Sequence, residues 1–162
     1  MTTIACNLKE MAGDTNVTCE GVGTDIYSAI KIFAANGSLY GLVGDNCVGQ
    51  LRALEWLQQG AILANRPEPP KKADWMILEL SKTGIVIYDT FMEREETLNT
   101  YIALGSGRKV AMFCMKYLGY NPVEAVDAAC KADHWTDHPI YHASLAKPTV
   151  RKWDGKKRRT SK

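Results

Sequence analysis

The start of the chain places a nucleophile and its base on one residue. Met1 is followed by Thr2 and Thr3, and initiator methionine is commonly removed when the next side chain is small. Removal leaves Thr2 with a free α-amino group beside its own hydroxyl. An amine with a reference pKa near ~8 accepts the hydroxyl proton around neutral pH and so activates a weak nucleophile. While Met1 is attached, the Thr2 nitrogen is an amide without basicity.

Local patterns predict the strands that must position this residue. Strands are expected where apolar and polar residues alternate or β-branched residues cluster, at residues 2–8, 11–14, 26–33, 39–43, 75–80, 85–88, 101–104 and 140–145. The runs 75–80 and 85–88 flank a Ser-Lys-Thr-Gly turn and predict a hairpin. Residues 65–72 are dense in proline and charge and predict an exposed loop.

Three stretches have the spacing or the end signals of a helix. The first has apolar residues at Val48, Leu51, Leu54 and Leu57 and is expected to end at Gly60. The second, at residues 108–118, is closed by Gly119. The third begins at the Asn121-Pro122-Val123-Glu124 run, a capping box with proline in the first turn. The order of strands, helix, strands, paired helices and strand predicts an α+β fold of antiparallel sheets with helices packed outside them.

The sequence resembles the N-terminal nucleophile hydrolases of the proteasome β-subunit type, and most closely the bacterial HslV-like peptidases. Six segments match in the family's order: Met1-Thr2-Thr3-Ile4, Ala12-Gly13-Asp14, Lys31-Ile32, Gly41-Leu42-Val43-Gly44, Ile102-Ala103-Leu104-Gly105-Ser106-Gly107 and Asp133-His134-Trp135-Thr136. In the last, Thr replaces the Ser of the proteasome element. No single segment is specific, but six in order form a strong signal. The resemblance extends from Thr2 to about Leu145 and implies a four-layer αββα sandwich of two antiparallel sheets between helical layers.

The resemblance implies a task for the residues around the amine. Thr2 Oγ would attack a peptide carbonyl, and its amine would take the proton and return it to the leaving group. Lys31 would keep that amine uncharged, because a neighbouring cation lowers its pKa, and Asp14 would fix Lys31. Taken singly, these residues also have structural interpretations. Thr2 and Thr3 are β-formers, Asp14 suits a turn, and Lys31 can reach solvent from a strand.

Four further positions complete the implied site. The Gly44 amide would bind the oxyanion, since glycine lets the backbone approach substrate closely. Ser106, Asp133 and Thr136 would form hydrogen bonds around the amine and orient it. The alternative for Ser106 is a helix-capping serine in a strand-to-helix turn.

The implied assembly has one departure from the family. Relatives carry a second long helix before the strand at residue 75, and here the proline-rich segment predicts that this helix is shortened or missing. They form stacked rings that enclose a chamber and receive unfolded chains from a partner ATPase. The resemblance therefore implies a peptide or unfolded-protein substrate, a homo-oligomer and an unfoldase ATPase partner, while ring size stays open. An apolar stripe of Val110, Phe113, Cys114 and Tyr117 suits either core packing or a subunit contact.

Composition places the chain among single-domain proteins of the cytoplasm. Its 162 residues, 46% of them hydrophobic, suit one core, predicted at residues 1–148 with a basic tail at 149–162. Charges interrupt the apolar stretches well short of the ~18 residues of a membrane span, and residues 1–20 lack a basic segment followed by an apolar one, so neither membrane insertion nor export is expected. Five cysteines without a C-x-x-C pair favour free thiols in a reducing compartment. The net charge is +2, and a short basic end is more typical of a solvated tail than of a nucleic-acid site. No cofactor is expected.

Other chemistries have weaker support. His134, His138 and His142 are spaced four apart beside acidic residues, which on one helix would form a metal-ligand face, but Pro139 interrupts that helix. Cys6 fits a small buried hydrophobe better than a nucleophile. Three hypotheses remain: a threonine endopeptidase, a non-catalytic proteasome-like structural or assembly protein that retains Met1, and a binder of nucleic acid or acidic partners through the basic tail.

Overall fold

The computed structural model describes residues 2–18, 25–44, 48–69 and 74–155. Within these ranges the strands are β1 Thr3–Asn7, β2 Glu10–Gly13, β3 Asn16–Thr18, β4 Asp25–Ser28, β5 Ile32–Ala35, β6 Ser38–Gly44, β7 Trp75–Ser81, β8 Gly84–Tyr88, β9 Arg94–Thr97, β10 Tyr101–Gly105, β11 Tyr141–Ser144 and β12 Lys147–Lys152. The helices are α1 Val48–Gln58, α2 Arg108–Leu118 and α3 Pro122–Ala132, with one 3-10 turn at Leu63–Asn65.

Two antiparallel five-stranded sheets form the centre of the molecule. One has the order β10-β1-β2-β11-β12 and the other β5-β6-β7-β8-β9, while β3 and β4 form a separate pair. Helices α2 and α3 pack on the first sheet, and α1 packs on the second. The layers therefore run helix, sheet, sheet, helix, and the predicted α+β class with an αββα sandwich is confirmed.

Strand β1 alternates between two of the resulting cores. Ile4 and Cys6 lie in the core between the sheets, whereas Ala5 lies in the core under α2 and α3. Since side chains of a strand point to opposite faces in turn, Thr3 shares the helix-facing side with Ala5. This orientation decides what the Thr3 hydroxyl meets.

The three predicted helices are present, but the buried face of α1 differs from the predicted one. In α3, Asn121 accepts from the Glu124 amide while the Glu124 side chain accepts from the Asn121 amide, so the predicted capping box is confirmed. Gly119 closes α2 in the left-handed conformation, also as expected. In α1, however, Val48 and Leu51 are exposed, and the buried face consists of Gln50, Ala53, Leu54, Trp56 and Leu57.

The strand predictions need three corrections. The run expected at 26–33 divides into β4 and β5, because the chain leaves the β3–β4 pair after Ser28 and joins the second sheet at Ile32. Strands β3, β9 and β12 were not expected, and β12 shows that residues 140–145 do not contain the last strand. It lies partly within the segment that the sequence indicates as a basic tail.

Several predicted features lie outside the described residues: Met1, Cys19, Cys47, residues 70–72 of the proline-rich segment and the basic residues 156–159. The described residues between α1 and β7, 59–69 and 74, carry only the 3-10 turn and no α-helix, in line with the prediction of a shortened or missing second helix. None of the helices in the described ranges is both long and apolar enough to cross a membrane. On α2, Cys114 joins the core, while Phe113 and Tyr117 are exposed.

Candidate active site

Two hydrogen bonds join Thr3, the first residue of strand β1, to Asp14. Strands β1 and β2 pair antiparallel, with Ile4 opposite Gly13, so Asp14 emerges beside the start of β1. The Thr3 carbonyl accepts from the Asp14 amide at 3.2 Å, and the Thr3 amide donates to Asp14 Oδ1 at 2.8 Å. Asp14 is only 1% exposed, so its carboxylate is aimed inward, next to the N-terminal residues.

Lys31 reaches the same carboxylate from the second sheet. Its Nζ lies 3.2 Å from Asp14 Oδ1 and 3.3 Å from Oδ2 and also donates to the Asn16 carbonyl. The Asn16 amide in turn donates to Asp14 Oδ2 at 3.0 Å. Lys31 is 8% exposed, so the interpretation in which it reaches out to solvent is wrong.

Burial and pairing act against each other in this ion pair. Burial raises the pKa of Asp14, while the charge of Lys31 and the amides of Thr3 and Asn16 oppose that rise. Burial lowers the pKa of Lys31, and the charge of Asp14 opposes that fall. Each group therefore depends on the other to carry charge in a site with little water.

A second polar cluster lies on the other side of Thr2. The Ser106 amide donates to the Thr2 carbonyl at 2.8 Å, which holds Thr2 against the turn after β10. The Ser106 hydroxyl lies 2.7 Å from Asp133 Oδ2, and the Thr136 hydroxyl donates to the same oxygen. Helix α2 has Gly107 as its N-cap and no side-chain cap, so the interpretation of Ser106 as a capping serine is wrong.

Hydrogen bonds decide the ionisation of Asp133. Burial by itself would raise the pKa of this carboxyl, but donors at Thr136, Ser106 and the Trp135 amide outweigh it and lower the pKa below its ordinary value. A carboxylate with several donors keeps its charge to lower pH because the donors favour the ionised form. Above this lowered pKa, the Asp133 carboxylate is ionised and can only accept hydrogen bonds.

Two functional candidates were missed by the sequence reasoning. Thr3 had no assigned role, yet its hydroxyl lies 2.6 Å from that of Thr136 and accepts from the Gly107 amide at 2.9 Å. Asn16 supplies a carbonyl to Lys31, and its side-chain amide lies 3.4 Å from the Trp135 carbonyl. A threonine on a face of β1 that looks into a core was the available signal for Thr3, because a buried hydroxyl needs partners.

Gly44 lies at the end of β6, opposite Trp75, and is exposed with a φ of +97°. It follows by two positions Leu42, whose amide donates to the Lys31 carbonyl at 2.9 Å. A side chain at Gly44 would meet the Asp74 carbonyl oxygen at 2.3 Å, so glycine is required there. The part played by its amide stays a prediction.

Of the described histidines and cysteines, His134 and His138 contact aromatic side chains and Cys6 is buried. His134 meets Trp135 edge to face, while His138 stacks on Trp153 and lies 3.2 Å from Asp127. Among the residues described, no group of three or more histidine, cysteine or acidic side chains could hold a metal ion. Cys6 is completely buried, and burial raises its pKa to about 12, so it is not an activated thiol.

Comparison with solved structures places this fold among known ones. The chain is similar to eukaryotic HslV from Trypanosoma brucei, with a TM-score of 0.68 and 18% identity over 88% of this chain and 98% of that one. It is also similar to BPH of Thiobacillus denitrificans, with a TM-score of 0.59 and 15% identity over 96% and 100% of the two chains. No protein-family model and no curated protein matches the sequence. The chain therefore has a fold similar to that of HslV from Trypanosoma brucei.

Proposed function

We propose that this protein is a threonine endopeptidase whose nucleophile is Thr2, exposed by removal of Met1. One observation carries the proposal: Asp14 Oδ1 accepts both from Lys31 Nζ and from the Thr3 amide. The cation of Lys31 is therefore held within two hydrogen-bond lengths of the Thr3 amide, the peptide nitrogen that follows Thr2. A nearby cation lowers the pKa of an amine and keeps it available as a base.

The single hydroxyl hydrogen of Ser106 also supports Thr2 as the nucleophile. A serine hydroxyl has one hydrogen, and the carboxylate of Asp133 at 2.7 Å is a better acceptor than the Thr2 carbonyl at 3.4 Å. With its hydrogen given to Asp133, the Ser106 oxygen has only lone pairs to offer nearby. It is therefore suited to accept from the N–H groups of a free Thr2 amine and to fix the direction of the amine's own lone pair.

In the proposed reaction, Thr2 Oγ attacks the carbonyl carbon of a peptide while the Thr2 amine takes the hydroxyl proton. The Gly44 amide binds the developing oxyanion. The amine returns the proton to the leaving nitrogen, and water then hydrolyses the ester. Thr2 is 4% exposed in the unprocessed chain, and loss of Met1 is what makes its nitrogen basic.

The test uses two variants with the same processing. Thr2→Ala and Thr2→Ser both keep a small second residue, so Met1 should leave in each. We expect Thr2→Ala to lose hydrolysis of a fluorogenic peptide and labelling by a threonine-directed covalent inhibitor, whereas Thr2→Ser should retain both. Intact mass measures the N-terminus in each sample. Met1 retained on natively produced protein, or hydrolysis by Thr2→Ala, would contradict the proposal; the first result would favour the non-catalytic structural protein.

We further propose a homo-oligomer that acts on peptides or unfolded chains in the cytoplasm. The support is the similarity to the HslV fold and, in the described part of the chain, the exposed aromatic pair Phe113 and Tyr117 on α2, whose ring centroids lie 5.2 Å apart. Light scattering after size exclusion gives the oligomer mass, and a monomer would contradict this part. An unfoldase ATPase as partner stays a prediction.

A further inference from the structure

We infer that Thr3 is a positioning residue of the proposed active site, which acts through Thr136 and Asp133 on Ser106. The inference rests on the proposed function, since it concerns how the Thr2 amine is oriented. Thr3 is 0% exposed and Thr136 is 2% exposed, so neither can touch a bound peptide in solvent. Their hydroxyl oxygens lie 2.6 Å apart although the residues are 133 positions apart in sequence.

Proton counting fixes the direction of this chain of hydroxyls. The ionised carboxylate of Asp133 has no hydrogen to give, so Thr136 must donate to it. The single hydrogen of Thr136 is then used, and the short contact with Thr3 requires Thr3 to donate. Thr3 in turn accepts from the Gly107 amide at 2.9 Å. Every hydrogen in the chain thus points toward Asp133.

The hydroxyls of Thr136 and Ser106 donate to the same carboxylate oxygen. Asp133 Oδ2 accepts from Thr136 on one side and from Ser106 on the other. If Thr136 loses its donor, its buried oxygen seeks another partner and its hold on the carboxylate weakens. Ser106 is then free to turn its hydrogen toward the Thr2 carbonyl or the amine. Thr3 therefore keeps Ser106 an acceptor without contact to substrate.

The surrounding backbone is built for this contact. A side chain at Gly107 would lie 2.5 Å from Thr3 Oγ1, a distance that real Cβ atoms essentially never show, and 3.0 Å from Thr136 Oγ1, which is tighter than nearly all real contacts. Glycine at the N-cap of α2 thus lets the helix start approach both hydroxyls. The Gly107 amide, one of the unpaired donors of a helix N-terminus, is satisfied by the Thr3 hydroxyl.

The experiment compares Thr3→Val, which removes the hydroxyl at constant shape, with Thr3→Ser, which retains it. We expect Thr3→Val to lower kcat for a fluorogenic peptide by about tenfold or more per inhibitor-titrated site, with KM unchanged, since positioning is lost and substrate contacts are not. Thr3→Ser, which keeps the hydroxyl, should have a kcat close to that of the wild type. Thr136→Val should lower kcat in the same way, and adding Thr3→Val to it should cause little further loss, because both act on Asp133.

Thr90→Val is the matched control. Thr90 is another buried threonine, whose hydroxyl bonds to the amide and carbonyl of Trp75 and not to Thr3, Thr136 or Asp133. Because Trp75 lies opposite Gly44, we expect Thr90→Val to lower stability and to lower kcat per titrated site less than Thr3→Val does. A wild-type kcat in Thr3→Val or Thr136→Val, with Thr2→Ala inactive, would overturn this inference alone. Activity in Thr2→Ala would overturn the proposed function itself.

Discussion

Lys31 and Asp14 form an ion pair across the gap between the two sheets, with Nζ 3.2 Å from Oδ1 and both side chains nearly inaccessible to water. Asp14 follows a strand of the first sheet, and Lys31 precedes a strand of the second. The pair therefore fixes the sheets to one another at the edge where Thr2 lies. Its geometry links the stability of the fold to the chemistry proposed for the N-terminus.

Breaking this pair from either side should be costly, and breaking both sides should cost less than the sum. Asp14→Asn leaves a buried ammonium and Lys31→Met leaves a buried carboxylate, so each should lower the free energy of unfolding by about 3–5 kcal/mol. The double variant leaves no unpaired charge. Urea unfolding of the four proteins measures the coupling.

The control for this cycle is Arg94 with Glu96, an ion pair between two exposed side chains on β9. The same four-protein cycle with alanine should give a coupling below about 1 kcal/mol, because water screens the pair. If the losses in free energy of unfolding at Asp14 and Lys31 are additive, as expected for this surface pair, the buried pair does not fix the sheets to one another.

Local sequence patterns account for most of the elements because many of them form from neighbouring residues. The capping box at Asn121 and Glu124 predicts the start of α3, and the Ser-Lys-Thr-Gly turn predicts the β7–β8 hairpin. Strand β9 could not be predicted in this way. Its sequence is Arg-Glu-Glu-Thr with mainly exposed side chains, so its conformation comes from backbone pairing with β8 and carries no apolar signal.

The residues of the candidate site also fall into a predicted group and an unpredicted one. The positions of Asp14, Lys31, Ser106 and Asp133 followed from a family resemblance, and the structure brings them to the two sides of Thr2. Thr3 could not be assigned from sequence, since Ile4, Ala5 and Cys6 are buried as well and the pattern does not say which face of β1 meets which core. Its partner Thr136 comes from a turn after α3, a contact that only the packing of that helix on the sheet creates.

The substitution Gly107→Ala should disturb both the fold and the proposed catalysis. The added methyl would meet Thr3 Oγ1 at 2.5 Å and the Ala129 side chain at 2.9 Å, so the start of α2 must shift. We expect a loss of about 1–3 kcal/mol in the free energy of unfolding, typical of overpacking, together with a lower kcat. Thermal unfolding and peptide hydrolysis measure the two effects.

Gly119→Ala serves as its control. Gly119 also borders α2, but nothing lies within 4 Å of the added methyl, and only the positive φ of +66° opposes it. Stability should fall by about 1 kcal/mol from backbone strain, and kcat should stay at the wild-type value. Equal effects of the two substitutions on kcat would contradict a special role for the Gly107 contact.

Asp133→Asn should reduce stability in a pH-dependent manner. The folded-state pKa of Asp133 lies below its ordinary value, so the ionised carboxylate is favoured more by the folded than by the unfolded chain. This contribution is fully present above the unfolded pKa near ~4 and is lost as the pH falls through the folded pKa. The deficit of Asp133→Asn relative to the wild type should therefore be largest at neutral pH and shrink in acid.

Urea midpoints across the acid range measure this trend. Thr136→Val removes one of the donors that lower the pKa of Asp133, so its own stability deficit should also shrink in acid. Thr90→Val, which leaves Asp133 untouched, should show a deficit independent of pH. A constant difference between Asp133→Asn and the wild type would mean that the carboxylate gains nothing from its donors.

The thiols of Cys6 and Cys130 should be unreactive in the folded protein. Burial is the main cause that raises the pKa of each to about 12, and at Cys130 the charges of Asp14, Asp127 and Asp137 add to it. Alkylation requires the thiolate, so iodoacetamide at mildly alkaline pH should modify these two cysteines only after unfolding in urea. Peptide mapping by mass spectrometry measures each site, and peptide hydrolysis should survive the treatment of both. Rapid native alkylation of Cys130 with loss of activity would instead favour a thiol beside Asp14 as the reactive group, and it would remove the reason to assign the chemistry to Thr2.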